Sequence, residues 1–328
     1  MAKSVKNYLI TGFSGFVSRY FIEYLNQIQE KANILGIDIT KPSFDLKRCT
    51  NTDIKFLKVN LLDKNEIRDI ILKFQPDFIL HLASFSSVAF SWQKPILSFN
   101  NNTNIFLNLL ETIKETGIKC RVLSVGSSEE YGIVKNEDVP LSESTQLNPI
   151  SPYAVARVSQ ELLSKIYVDG YGLNIIMTRS FNHIGPRQTE VFVVSSFAKQ
   201  MVEIKKKNRN KRILRVGNLE IVRDFLDVRD VVKAYYLLLQ KGKNGEIYNV
   251  CAGKGIVLKE VINYIADYLK IKVDLKVDQS LVRPNDNPVI IGNNKKIRDE
   301  LGWEPKIPLK KSIADICDYW EQNSQYMK

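Results

Sequence analysis

At 328 residues, with 44% hydrophobic and 25% charged, the chain is long enough for one large α/β body or two domains, and its composition excludes wholesale disorder. No apolar run reaches the length of a membrane span, and the polar start runs into a strand-like stretch at 8–11, so neither a membrane anchor nor a leader peptide is expected. Lys and Arg number 47 against 36 Asp and Glu; the net charge of +11 suits an anionic partner, whether nucleic acid, membrane surface or phosphorylated small molecule, and does not choose among them.

In chain order, strands are expected at 8–11, 32–37, 54–59, 78–82 and 121–125. Helices are expected between them at 17–29, 66–74 and 99–116. A helix at 153–169 and a strand at 173–179 follow. Strands separated by helices of this size imply right-handed βαβ units and a parallel sheet. Beyond residue 180 the alternation becomes irregular, with a strand at 213–216 and helices at 231–240 and 258–268. The basic run from Lys205 to Arg212 reads as a solvated helix end, since no aromatic or glycine interleaving of a nucleic-acid module accompanies it. Cys49, Cys120, Cys251 and Cys317 form no CxxC pair, which fits a reduced, cytoplasmic setting. With only His81 and His183, no metal site is expected.

Three groups of residues carry chemistry. Gly12-Phe13-Ser14-Gly15-Phe16 links the first strand to the first helix. Glycines there allow a tight turn and a close approach of backbone to a pyrophosphate at the helix N-terminus. Ser18 stands where a third glycine is usual, and its bulk is expected to loosen the helix–strand contact. Asp38, closing the second strand, can accept from both hydroxyls of an adenosine ribose and would repel a 2′-phosphate, so NAD is expected rather than NADP. Ser127 ends the fifth strand, and Tyr153 and Arg157 lie four apart on one helix face. A cation so placed can lower the phenol's pKa, so that Tyr153 takes a hydroxyl proton as hydride leaves the attached carbon.

With these residues the chain resembles the extended short-chain dehydrogenase/reductase family along nearly its whole length. It looks most like the branch of GDP-mannose 4,6-dehydratases and GDP-4-keto-6-deoxymannose reductases. Branch features are Phe181-Asn182-His183-Ile184-Gly185-Pro186-Arg187, Gly217-Asn218-Leu219-Glu220 with Arg223-Asp224-Phe225, and Arg283-Pro284 ahead of Leu301-Gly302-Trp303-Glu304-Pro305. The resemblance implies a doubly wound parallel sheet of Rossmann type with a smaller C-terminal portion. Residues 1–180 would hold NAD, and 181–328 mainly the sugar nucleotide, with some segments returning to the sheet.

It also implies further roles. Asn60, Leu61, Leu82, Ala83, Ser84 and Asn102 would join the cofactor contacts. Ser87, Ser128, Asn182, Arg187, Asn218, Arg223, Arg283 and Asp286 would face a GDP-sugar. The loop from Ser43 to Arg48 resembles one that reaches a neighbouring subunit, pointing to a homodimer or homotetramer without nucleic-acid or membrane partners. The expected activity is C4 oxidoreduction of a GDP-linked manno-configured hexose or heptose in surface-polysaccharide biosynthesis. A 4,6-dehydratase using Glu129 as acid/base is the alternative, followed by a C4 or C5 epimerase and then a cofactor-holding scaffold or anionic-polymer binder. Three departures stand out. Arg157 replaces the family's lysine, and an arginine cannot pass a proton to solvent, which points to slow or release-limited turnover. Asn60 replaces an aspartate and Asp286 a glutamate.

Overall fold

The computed structural model describes residues 5–44, 51–207, 212–282 and 287–323. Its first part alternates as expected: β1 (Lys6–Thr11), α1 (Phe16–Gln27), β2 (Ala32–Asp38), β3 (Thr52–Lys58), α2 (Lys64–Phe74) and β4 (Phe78–His81). Next come α3 (Val88–Gln93), α4 (Pro95–Thr116), β5 (Arg121–Ser127), α5 (Pro152–Tyr171) and β6 (Asn174–Ser180). The remainder is finer: β7 (Asn182–Ile184), α6 (Val193–Lys207), β8 (Ile213–Val216), β9 (Val222–Asp227), α7 (Val228–Lys241) and β10 (Ile247–Val250). It ends with β11 (Gly255–Val257), α8 (Leu258–Leu269), β12 (Asp274–Val277), β13 (Val289–Ile290), α9 (Lys295–Leu301) and α10 (Leu309–Gln322).

The main sheet has seven strands in the order β10-β6-β5-β4-β1-β2-β3, all pairings parallel. Alternation along β1 sends Tyr8 and Ile10 to the face covered by α1 and α7, and Leu9 to the face covered by α2, α4 and α5. Both faces are buried, which explains why the central strands read as nearly continuous apolar runs. From β1 the chain winds outward through β2 and β3, then returns to place β4 on the other side of β1. The carboxyl ends of β1 and β4 therefore flank a crevice at the point where the winding reverses.

The helix 99–116 expected from sequence instead starts at Pro95, where proline suits the first helical position, and a separate short α3 precedes it. A second hydrophobic cluster, built from α6, α8, α10 and the short strands, forms the smaller portion. Two segments of the second half return to the main sheet: β10 pairs with β6, and α7 packs beside α1. Trp303 pins the tail to this body. It is buried, its Nε1 donates to the Asp230 carbonyl at 3.1 Å, and Asp230 Oδ2 accepts from Lys306 N and Ile307 N at 2.8 and 2.7 Å.

Candidate active site

The turn after β1 is built for close approach. Gly12 has φ +65°, and a Cβ there would stand 2.7 Å from Ala83 N and 2.8 Å from the Leu82 carbonyl carbon, so the turn lies flat against the loop after β4. Thr11 holds that loop from beneath: its Oγ1 accepts from Leu82 N and Ala83 N, each at 3.2 Å, and meets His81 Nδ1 at 2.9 Å. Burial, with the Arg157 charge adding to it, pushes His81 down to about 3, so its ring is neutral. No side chain caps the first amides of α1, whose N-cap is Gly15. Asp38 is half-buried at the end of β2 and accepts from Ser14 N at 2.9 Å and Thr40 N at 3.1 Å. An uncapped helix start, a flat glycine turn and a carboxylate at the next strand end fit a dinucleotide. Ser18 is fully buried and turns its hydroxyl back onto the Phe13 and Gly15 carbonyls.

Tyr153 sits at the start of α5. Ser151 caps that helix through Ala154 N at 3.1 Å, Pro152 opens it, and Gly172 closes it at φ +67°. With both ends fixed, the Tyr153 side chain is placed by a rigid element. Arg157, one turn on, is 5% exposed and donates from Nε to the Tyr153 hydroxyl at 3.2 Å, from Nη1 to the Val125 carbonyl at 3.0 Å, and from Nη2 to Ser84 Oγ. One side chain thus ties α5 to the ends of β5 and of the loop after β4. Asn102 on α4 clamps that loop through Phe85, accepting from its N–H at 2.8 Å and donating to its carbonyl at 3.1 Å.

Ser127 closes β5 and caps the single tight turn Ser128–Tyr131. Its Oγ accepts from Glu129 N at 3.2 Å, which leaves the hydroxyl hydrogen available to a ligand oxygen. Glu129 is half-buried, whereas Glu130 is wholly buried and accepts from Ser127 N at 2.6 Å. Behind Glu130, Arg179 of β6 grips Glu161 of α5 with two 2.8 Å bonds. Sequence inspection did not single out Thr11, Glu130, Glu161, Arg179 or Gln160. The only available signal was helical spacing, since Gln160 and Glu161 follow Arg157 by three and four residues.

The family model for GDP-mannose 4,6 dehydratase matches residues 9–316. GDP-6-deoxy-D-mannose reductase of Pseudomonas aeruginosa is 30% identical over 95% of this chain and 96% of that protein. The chain belongs to the GDP-mannose 4,6 dehydratase family. It is therefore an enzyme of the extended short-chain dehydrogenase/reductase type. A GDP-mannose 4,6-dehydratase of Vibrio cholerae is 28% identical, covering 94% of this chain and 91% of that one. The solved structure of RMD from Pseudomonas aeruginosa complexed with NADPH superposes with a TM-score of 0.83 at 29% identity, covering 97% of this chain and all of the other.

In this member of the GDP-mannose 4,6 dehydratase family, the residues expected to face the sugar nucleotide lie in several places. Asn182, half-buried, opens β7 opposite Phe225. Arg223 is 5% exposed on β9 and donates from Nη1 to the Asn287 carbonyl at 2.7 Å and to its neighbour Val222. Ser87 caps α3 through Phe90 N, and Ser128 is buried in the turn after β5. Arg187 is exposed, with φ +72°, and lies 3.8 Å from Glu23 of α1. Asn218 and Asn60 are both exposed and accept from N–H groups of their own turns, Glu220 and Leu62, at 3.0 Å. Arg283, Asp286 and most of the Ser43–Arg48 loop lie outside the described residues. Among the described residues no cluster of His, Cys, Asp and Glu could hold a metal ion, and no helix is long and apolar enough to cross a membrane.

Proposed function

We propose that the chain is an NAD-dependent C4 oxidoreductase acting on a GDP-linked, manno-configured hexose or heptose, in the supply of sugars for surface polysaccharide. The observation that carries this reading is the Arg157 Nε to Tyr153 hydroxyl contact of 3.2 Å, at the carboxyl edge of the sheet beside an uncapped helix start. A bound nicotinamide would accept or give the hydride. Tyr153 takes the proton of the sugar hydroxyl, Ser127 donates to the same oxygen, and Arg157 supplies a fixed positive charge at the phenol. Asn102 keeps the Phe85 loop in place. Gly12, Phe13, Ser14, Gly15 and Phe16 are assigned to the pyrophosphate, and Asp38 to the adenosine ribose. NAD is inferred over NADP because a carboxylate at the end of β2 would repel a 2′-phosphate. Asn182, Arg223 and Arg283 are assigned to the diphosphate of the sugar nucleotide, for which guanidinium groups are suited.

Glu129 favours a second reading, a 4,6-dehydratase, since a half-buried acid two residues from Ser127 can reach a C5 proton. Incubation with NAD and GDP-mannose separates the readings by product mass. Oxidation at C4 removes two hydrogens, dehydration removes water, and epimerisation changes nothing; loss of water overturns the first reading. A cytoplasmic location agrees with the buried free thiols Cys120, Cys251 and Cys317.

A homodimer is part of the proposal. The adjacent helices α4 and α5 expose Ile96, Leu97, Val155, Leu162 and Ile166, beside an apolar groove of about 630 Å³ lined by Trp92, Phe99, Pro149 and Ile150. Two neighbouring helices with apolar outer stripes match a symmetry-related copy, with which they complete a four-helix bundle. Sedimentation is expected to show a dimer, and Leu162→Glu with Ile166→Glu a monomer.

A further inference from the structure

An arginine at the position beside the phenol raises a question of orientation. A guanidinium spreads its charge over a plane with five N–H groups, so its rotation decides which N–H meets the phenol, whereas an ammonium has no such plane. Here Nε faces the Tyr153 hydroxyl, and both hydrogens of Nη1 are engaged: one by the Val125 carbonyl at 3.0 Å, the other by Gln160 Oε1 at 2.6 Å. Gln160 is 1% exposed and is held at its other end, Nε2 donating to Ser124 Oγ at 2.9 Å and to the Val125 carbonyl at 3.2 Å. Ser164, one turn further along α5, meets the same Ser124 hydroxyl at 3.2 Å and donates to the main-chain carbonyl of Gln160 at 2.9 Å. The amide is thus fixed on a helix and a strand before it reaches the guanidinium.

We propose that Gln160 is a positioning residue for proton transfer at Tyr153: its side-chain carbonyl takes the second Nη1 hydrogen of Arg157, sets the plane of the guanidinium, and so keeps Nε on the phenol oxygen. The inference rests on Tyr153 acting as the general base. Without the Gln160 side-chain carbonyl, a buried N–H would lack an acceptor, and the guanidinium, held then only by Val125 and Ser84, would tilt to find one. The phenol would then lose its partner while the sugar and cofactor surfaces stayed as they are. The effect belongs to arginine: a lysine at 157 has no plane to set.

The test is steady-state kinetics of the full chain with GDP-mannose and NAD, for Gln160→Leu in the native background and in an Arg157→Lys background. Gln160→Leu is expected to lower kcat about tenfold with KM for the sugar nucleotide and Kd for NAD within about twofold, the signature of an interaction that acts on the chemical step. In the Arg157→Lys background, the same leucine is expected to change kcat by less than about twofold, the coupling that a double-mutant cycle measures. A purely structural role predicts equal losses in both backgrounds, and that outcome overturns the proposal, as does a native kcat in folded Gln160→Leu. Should the leucine variant fail to fold, Gln160→Asn decides: it keeps the amide but withdraws it by one methylene, and a native kcat there overturns the proposal. Native turnover by Tyr153→Phe, or no turnover by the unaltered chain, overturns the general-base reading itself. An inactive Tyr153→Phe beside a native Gln160→Leu removes only the role of Gln160.

Discussion

Tyr153→Phe is expected to reduce kcat by about 10²–10⁴-fold while leaving KM for the sugar nucleotide nearly unchanged, because in the proposed reaction the phenol acts on the proton in the chemical step rather than in holding the substrate. The ring is 6% exposed at the capped start of α5, so phenylalanine fills the same space. What the variant loses is the acceptor of the Arg157 Nε–H. A buried donor left unpaired costs about 1–3 kcal/mol, and Arg157 keeps its bonds to Ser84, Val125 and Gln160, so the fold is expected to survive with a modest drop in unfolding midpoint. Activity and stability should therefore be measured together. A large fall in kcat with a small fall in stability supports the general-base reading, and undiminished kcat places the base elsewhere. Glu129→Gln provides the contrast: C4 oxidation should survive it, and dehydration should not.

The sheet was legible in the sequence because both of its faces are buried. Strands β2 and β5 are apolar on both sides, with Ile34 and Leu123 in one core and Leu35, Ile37 and Val122 in the other, and the helices between them are long enough to show their period. The residues proposed for the reaction and the cofactor were legible because each sits at a strand end or on one face of one helix, where spacing in sequence becomes proximity in space. Asp38, Ser127, Tyr153 and Arg157 are of this kind. What escaped was of two sorts. The strands β11 and β13, of three and two residues, are too short to carry a period, and they owe their pairing to β9. The supporting contacts Thr11 to Ala83, Gln160 to Ser124 and Glu161 to Arg179 join residues 18 to 72 apart, and no local pattern announces such pairs. Helix α6 is a different case: Val194, Phe197, Ala198, Met201 and Val202 carry a plain helical spacing that could have been read.

Removing Glu161 should be the most damaging change to the fold near the site. Arg179 is 3% exposed, and its two 2.8 Å bonds to Glu161 are its ion-pair contacts, beside a 3.0 Å bond to the Glu143 carbonyl and the face of the Tyr131 ring. Breaking a buried pair from one side costs about 3–5 kcal/mol, so Glu161→Leu is expected to lose that much in urea unfolding. Glu130 belongs to the same cluster but behaves in the opposite way. One oxygen accepts from Ser127 N, while the other is buried without a donor and lies in the field of the Glu161 carboxylate. Burial first, and Glu161 second, raise Glu130 well above the ordinary glutamate value of 4.5, so the folded chain holds a proton there that the unfolded chain gives up. Its contribution to stability is thus full below about pH 4.5 and declines by about 1.4 kcal/mol per unit as pH rises toward the folded value. Glutamine reproduces the neutral acid, one oxygen accepting from Ser127 and one nitrogen able to donate toward Glu161, with no proton to lose. Glu130→Gln is accordingly expected to match the native protein near pH 4.5, and to become progressively more stable than it as the pH is raised. Urea midpoints taken from pH 5 to pH 8 check this directly. Parallel curves for the two proteins would mean that Glu130 is ionised in the fold, with Arg179 shared between two carboxylates.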